Sequence, residues 1–477
     1  MESNFKEIVR LKKKYSEKIS PGDSKGLKAK FLKVLPSKLV FFILKEFLGA
    51  SEYSLKRESV KFFQLSSIAY SERKMNRANR LLMTAFKLLG TTLPAPYIKI
   101  VSSCFLATAH EPTRRSDCSN LMFDATNALD RNILDASGWY MLSRGLFSLG
   151  YCRSAWLARE ISIDLSISEG SGQQLFNTST KRAIEAHLER RNFVAVGEIL
   201  NRFSGDNFSE FLNEVVDYLA MMQNTYLRTD EQNLGQSDAE KLFRNLISRQ
   251  TALVGAGSPS SNHGVEIDSS ETVVRLRYVG KGYLSPDNFL GSRCEISCYN
   301  TLKILSLICE NGNTLSFIED LKIIIGRMNE SQLLPNLHSI GNTPIVWINS
   351  ELPIYRSTAV SGIRILFSIL RFCPGQLKLF GFDFYTSVAM YDDYGLKFYR
   401  EGHGWQLGDA FQPGAVSRVQ ELVPAGTFSF HDPVSNFCFA QNLYKAGLFD
   451  IEPYGKSILE LTPYQYVERL EEMLGDW

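Results

Sequence analysis

Leu253-Val254-Gly255-Ala256-Gly257-Ser258 is an apolar run that breaks into two glycines and a hydroxyl, and what surrounds it decides the fold class. Thr251-Ala252-Leu253-Val254 and Glu271-Thr272-Val273-Val274-Arg275-Leu276 read as short strands bounded by Gly, Ser, Pro and Asn. Pro344-Ile345-Val346-Trp347-Ile348 and Leu377-Lys378-Leu379-Phe380-Gly381 read the same way. Helical patterns alternate with them over Thr301–Cys309 and Gly362–Phe372. Such alternation predicts an α/β domain with a mainly parallel sheet, which binds ligands at the carboxyl ends of its strands.

Upstream, from about residue 30 to residue 245, the apolar period is helical. Leu81, Leu82, Ala85, Phe86 and Leu89 share one face; Trp139, Leu142, Leu146 and Leu149 share another, and Gly150 marks a turn. Ala183–Leu200 reads as a helical hairpin joined at Arg190-Arg191-Asn192. Trp139, Leu142 and Ala155 match part of a tetratricopeptide pattern, but its period of about 34 residues is missing, so irregular hairpins are expected. The reading is an all-α helical-hairpin domain over 1–245, bracing the catalytic half or facing a partner, and an α/β domain over 246–477.

With 477 residues, two domains are expected. The net charge of +2 is uneven: residues 1–50 hold twelve Lys and Arg against five acids, and the remainder carries −5. A basic tip implies peripheral contact with an anionic membrane surface; a solvated Lys-rich helix explains the same residues. The longest apolar run near the start, Leu39–Leu44, is too short to span a bilayer, and no signal-peptide pattern precedes it. A cytoplasmic protein, peripheral to an inner membrane, is therefore expected. The eight cysteines are scattered and do not form a disulfide framework, and Cys294 and Cys298 lack a second pair at zinc spacing.

The turn from Gly255 to Ser258 can bring backbone amides close to an anion, though glycines are routine in tight βα turns. Ser361-Gly362, ahead of the amphipathic helix, reads similarly: Ser361 is either a plain N-cap or, with the Gly362 amide, a phosphate contact. Asp392-Asp393 is the nearest approach to a metal-binding acidic pair, and a solvated loop accounts for it.

Taken together, Val254–Arg293, Ser361–Gly381 and His431-Asp432 resemble, in order and spacing, the nucleotide-binding half of the animal-type sialyltransferases. That family carries a long motif of the form Val-Gly-Asn-Gly, Gly-x-x-Ile-Asp, Arg-x-Asn and Gly-Ser-Arg. A short motif and a late His with a Glu five residues on come after it. The resemblance covers roughly residues 251–450. It implies a Rossmann-like, modified GT-A sheet that binds a CMP-activated sugar without a metal or other cofactor. Gly255, Ala256, Gly257, Ser258, Arg275, Arg277, Ser361, Gly362 and Gly381 would line the nucleotide. His431 would be the base that deprotonates the acceptor hydroxyl, a role suited to imidazole near neutral pH. His403 would meet the departing phosphate. For either histidine, a surface or packed residue is the plain alternative.

Several positions depart from the family pattern. Ala256 and Arg277 stand where it has asparagines, and Asn436 where it has the final Glu. Arg277 binds phosphate or carboxylate in one reading and is an outward strand residue in the other. Cys373 stands at one end of the family's disulfide, but Thr251 holds the other place, in keeping with a reducing compartment.

The implied activity is inverting transfer of a 2-keto acid sugar (sialic acid, another nonulosonate or Kdo) onto a surface glycan. The acceptor is a glycan, lipid-linked or part of a lipopolysaccharide, and no nucleic acid is expected as a partner. Arg275, Arg277 or Arg293 would recognise the sugar carboxylate, or Arg293 would instead pair with Asp268 or Asp287. The alternative is a helical-repeat interaction protein with an inactive transferase-like domain. A transferase with another nucleotide sugar stands third, since no Asp-x-Asp is present to hold a metal.

Overall fold

A computed structural model describes residues 75–89, 93–110, 114–173, 175–203, 210–223, 237–255, 261–276, 289–299, 320–327, 342–348, 351–372, 374–386 and 431–475. It also describes 59–60, 62–63, 65–66, 257, 278, 280, 318, 339 and 340. The basic segment 1–50 and the helical pattern Thr301–Cys309 lie outside these residues. The chain forms two compact units, residues 1–165 and 166–477.

The first unit holds α1 (Met75–Leu89), α2 (Ala95–His110), α3 (Arg115–Asn127), α4 (Ala136–Ser148) and the start of α5 (Cys152–Gly170). The α1 stripe of Leu81, Leu82, Ala85, Phe86 and Leu89 is buried, as an amphipathic helix against a core requires. Trp139, Leu142 and Leu146 do the same for α4, whose N-terminus is capped by Asp135 through the Gly138 amide at 2.7 Å. Gly150 follows α4 with φ +82, the left-handed conformation that lets the chain turn before α5.

In the second unit, α6 (Thr178–Glu189) and α7 (Phe193–Arg202) form the expected hairpin, with Arg191 at φ 56 in its connection. Next come α8 (Glu210–Met222) and α9 (Asp238–Ile247), the latter opened by a capping box between Ser237 and Glu240. The change from helix to strand falls where the sequence places it, between α9 and β1. The compact units nevertheless divide earlier, because these helices pack with the helices that accompany the sheet. Arg371 pairs with Glu214 at 2.8 Å and Asp217 at 2.7 Å, Tyr218 stacks on Phe439 at 4.9 Å, and Phe243 meets Phe372 edge-on.

The sheet comprises β1 (Gln250–Val254), β2 (Thr272–Leu276), β3 (Ile296–Cys298), β4 (Ile323–Arg327), β5 (Ser339–Ile340), β6 (Thr343–Ile348), β7 (Gln376–Phe380) and β8 (Asp450–Ile451). Its order is β5-β6-β4-β3-β2-β1-β7-β8, parallel throughout except for the antiparallel edge strand β5. Seven parallel strands with intervening helices make this an α/β, Rossmann-like sheet. Val273, Val274, Ile323, Ile324 and Ile325 are buried, as expected of central parallel strands. The helices α10 (Gly264–Ser269), α11 (Ser361–Arg371), α12 (Pro433–Lys445), α13 (Pro453–Leu459) and α14 (Pro463–Gly475) complete the unit.

Six cysteines, at 104, 118, 152, 294, 298 and 438, are buried and free. Among the described residues no helix is long and apolar enough to cross a membrane.

Candidate functional site

Strand β1 pairs with β2 on one side and β7 on the other, so the winding of the sheet reverses between β1 and β7. Beyond the carboxyl ends of such a strand pair, the diverging connections leave a crevice. The Gly255 amide continues the β1–β7 ladder by donating to Phe380 O at 2.8 Å, and the Gly257 amide donates to Gly381 O at 2.8 Å. A Cβ on Gly255 would lie 2.4 Å from Gly381 O, which explains glycine there: the two turns approach backbone to backbone. A Cβ on Gly362 would lie 2.7 Å from the Phe382 ring, and that ring also faces Gly255. Gly255 and Gly362, more than a hundred residues apart in sequence, thus face the Phe382 ring from two edges, and Gly257 approaches Gly381.

Val360, not Ser361, is the N-cap of α11, and no side chain caps this helix. Ser361 is its first residue, so the plain N-cap reading of Ser361 is corrected. Ser361, Gly362 and Ile363 stand in the first turn, where helix geometry leaves amides without intrahelical acceptors. Gly362 in this turn lies against the Phe382 ring.

His431 precedes α12. Its Nδ1 lies 3.0 Å from Thr358 O and 3.3 Å from Thr358 Oγ1. A carbonyl accepts only a proton, so Nδ1 carries it, and the neutral ring holds its lone pair on Nε2. The neighbouring residues tie α12 to the same loop. The Asp432 amide donates to Ser357 Oγ at 2.9 Å, the Val360 amide donates to Asn436 Oδ1 at 2.9 Å, and Asn436 Nδ2 donates to Asp432 O at 2.8 Å. Asn436 thus stitches the His431 turn to the start of α11. Just before this loop, Arg356 holds φ 47, a strained conformation for a residue with a side chain.

The arginines fare differently. Arg275 is fully buried, with Nε donating to Arg293 O at 2.7 Å and Nη2 to Leu290 O at 2.6 Å. Its guanidinium therefore braces the β2–β3 connection through Nε and Nη2, while its buried Nη1 has no hydrogen-bond partner among the described residues. Arg293 donates to the carbonyls of Asp268 at 2.7 Å and Ser270 at 2.6 Å, and pairs with Glu295 at 2.9 Å. The Asp268 carboxylate accepts the amides of Ser292 and Arg293, each at 2.9 Å, and the Ser292 hydroxyl at 3.1 Å. Gly291, at φ +69, would carry a Cβ 2.4 Å from Asp268 Oδ1. The Gly264–Asp268 and Gly291–Arg293 segments are therefore a structural lock that fixes the loops beside β1, and Arg293 is spent within it. Ala256, Ser258, Arg277 and His403 lie outside the described residues, as do Cys373 and the Asp392-Asp393 pair. Thr251 is buried at the start of β1, with its hydroxyl donating to Ile247 O at 3.3 Å.

Sequence reasoning passed over three features of this end of the sheet. His263 stands just before α10, its Nε2 2.8 Å from Ser261 Oγ and its Nδ1 3.3 Å from Glu266 Oε2. Glu452 follows β8 and is buried, 3.9 Å from His263 Nε2. Burial pushes its carboxyl above the usual carboxylate range, Asp383 adds to this, and His263 with the amides of Tyr454 and Gly381 acts against it. Phe384 and Tyr385, at φ 50 and 65, form a left-handed bend after Gly381, held by Tyr466 Oη donating to Phe384 O at 2.6 Å. The only available signal was position: His263 adjoins Gly264-Val265-Glu266-Ile267-Asp268, and Glu452 ends the last strand.

Among the described residues no group of three or more His, Cys, Asp or Glu is placed to hold a metal ion. No protein-family model, curated protein or solved structure matches the chain.

Proposed function

We propose that this chain is a sialyltransferase-like, inverting glycosyltransferase that takes a 2-keto acid sugar from a CMP-activated donor. The observation that carries the proposal is that Gly255 and Gly362 both face Phe382 at the sheet reversal, with Gly381 against Gly255 and the His431 turn bonded to the loop before α11. Those are the positions that the resemblance assigns to the nucleotide and to the base, and they were read from separate stretches of sequence.

In this reading the donor phosphate lies against the first-turn amides of α11 and the Gly255–Gly257 turn, where helix-terminal dipoles favour an anion. His431 Nε2 takes the proton of the acceptor hydroxyl as that oxygen attacks the anomeric carbon. The bond to the phosphate oxygen breaks, and CMP leaves with the electron pair. With Arg275 fully buried and Arg293 paired with Glu295, Arg277 is the arginine assigned to the sugar carboxylate. The acceptor is a glycan, lipid-linked or part of a surface polysaccharide. The setting is cytoplasmic, with residues 1–50 against an anionic inner membrane and no metal required.

The test is transfer or hydrolysis of CMP-sialic acid and CMP-Kdo by the full chain, with and without EDTA, alongside His431→Ala. EDTA-resistant CMP release that falls at least about a hundredfold in His431→Ala is expected. CMP binding without turnover of any donor would move the chain to the interaction-protein reading.

A further inference from the structure

The loop that meets His431 is anchored on its other side by the helical hairpin. Arg356 holds φ 47, and a residue with a side chain keeps such a backbone only where its surroundings impose it. Its amide donates to Glu185 Oε2, on α6, at 3.0 Å. Glu185 is about 2 % exposed, and Arg182 Nη1 donates to both of its carboxylate oxygens, at 2.9 and 2.7 Å. A buried, paired carboxylate thus spends an oxygen on a single backbone amide, that of the strained residue.

We propose that Glu185 is a positioning residue for His431, acting through the backbone of Arg356. The path is short. Glu185 holds the Arg356 amide, and two residues on the Thr358 carbonyl accepts from His431 Nδ1 at 3.0 Å. Between them Ser357 Oγ accepts the Asp432 amide at 2.9 Å, and on the other flank the Tyr355 carbonyl accepts from Ser435 Oγ at 3.1 Å. Residues 355 to 358 are therefore held from one side by α6 and from the other by the start of α12. Were Arg356 to leave the left-handed region, the Thr358 carbonyl would turn away and the imidazole would lose the acceptor that keeps its proton on Nδ1. Neutral imidazole in water favours the proton on Nε2, the nitrogen a base must keep free. The inference rests on the reading of His431 as the base, and it gives α6 a part in the chemistry at a distance from the substrate.

A carboxylate suits this place better than an amide. It accepts from Arg182 and from the Arg356 amide at once, whereas a glutamine would turn its own N–H groups toward one of those donors. The Arg356 guanidinium has separate contacts: Nε donates to Tyr355 Oη and Nη2 to Ser166 Oγ, each at 3.2 Å, and those two hydroxyls lie 3.0 Å apart. Backbone and side chain of one residue thus have different partners, and a substitution can separate them. Glycine accepts φ 47 and keeps the N–H, so Arg356→Gly removes the guanidinium contacts and leaves the Glu185 bond in place.

The experiment is nitrogen-15 NMR of the full chain labelled at histidine, at about pH 8 where imidazole is neutral, with His431 assigned from His431→Gln. Wild type is expected to show the Nδ1–H tautomer at His431. Glu185→Gln and the shorter Glu185→Asp are expected to lose it to the Nε2–H form, and Arg356→Gly to keep it. An unchanged tautomer in a folded Glu185 variant would overturn the inference. Loss of the tautomer in Arg356→Gly would also overturn it, by placing the control in the guanidinium, and this arm reads even where the Glu185 variants fail to fold. Turnover of a CMP-sugar by Glu185→Gln should fall about tenfold or more while CMP affinity stays within about twofold. Equal losses in turnover and affinity would contradict a positioning role. A wild-type chain that turns over no CMP-sugar, with the tautomer still dependent on Glu185, would count against the transferase reading alone.

Discussion

His431 Nδ1 lies 3.0 Å from the carbonyl oxygen of Thr358, and this contact decides which nitrogen of the ring can act as a base. The loop that supplies the carbonyl leads directly into α11. In the proposed reading, the base on Nε2 is therefore positioned by the loop that leads into α11. The Asn436 bridge to the Val360 amide fixes the same joint at 2.9 Å.

Asn436→Ala removes that bridge and leaves the part-buried Val360 amide to find another acceptor, while the Asp432 carbonyl keeps the Asn436 backbone amide at 3.2 Å. A loss of about 1–3 kcal/mol in urea unfolding is expected. Donor turnover should fall further than CMP affinity, because His431 shifts while the phosphate amides remain. Equal losses in both would show that Asn436 supports the fold alone.

Asp268 accepts three hydrogen bonds across the loop before β3. Asp268→Ala should cost about 3 kcal/mol, since two amides and a hydroxyl lose a charged acceptor together. Denaturant midpoints of Asp268→Ala and Asp268→Asn check this, with the asparagine variant falling between the alanine variant and wild type.

Gly362→Ala places a methyl 2.7 Å from the Phe382 ring, which is already packed against Gly255. Strain of about 1–3 kcal/mol is expected from overpacking. CMP affinity should drop at least about tenfold as the start of α11 moves off the β1 turn. Titration of CMP into the folded variant measures it, and an unchanged affinity would remove Gly362 from the site.

Glu452 sets a pH dependence of stability whose sign follows from its raised titration. In the unfolded chain its carboxyl ionises near the ordinary value of about 4.3. Between that pH and the higher folded midpoint, only the folded state keeps the proton, so stability falls as pH rises through this window. Above the window, the ionised buried carboxylate is a constant cost. Glu452→Gln lacks that cost while retaining an acceptor for the Gly381 and Tyr454 amides. Its melting temperature should exceed wild type at pH 7 to 8, and the difference should shrink as pH falls to about 4.

The strands that the sequence announces are those with turn residues at both ends. β1, β2, β6 and β7 are each bracketed by Gly, Pro, Ser or Asn, and α11 follows its own amphipathic period. β3 is only Ile296-Ser297-Cys298 and β8 only Asp450-Ile451, too short for any alternation to show. The Asp268 lock was half legible: Arg293 and Asp268 could be paired on paper, but the carboxylate accepts backbone amides, which no side-chain pattern reports. Arg275 is buried against two carbonyls, a setting that an arginine in a motif does not announce. His263 and Glu452 went unread because nearly two hundred residues separate them and only the β1-β7-β8 order brings them together. The packing of α8 on α12 rests on contacts such as Tyr218 with Phe439, which a helical period cannot assign to a partner.

In the proposed reading a cytidine monophosphate occupies the reversal between β1 and β7. The melting temperature of the full chain is measured with CMP, CDP, UDP and GDP, each with and without EDTA. It is expected to rise with CMP, to stay raised in EDTA, and to lose that rise in Gly362→Ala at the same concentration. A chain that ignores CMP, or that responds to UDP or GDP only when a metal is present, would contradict that reading.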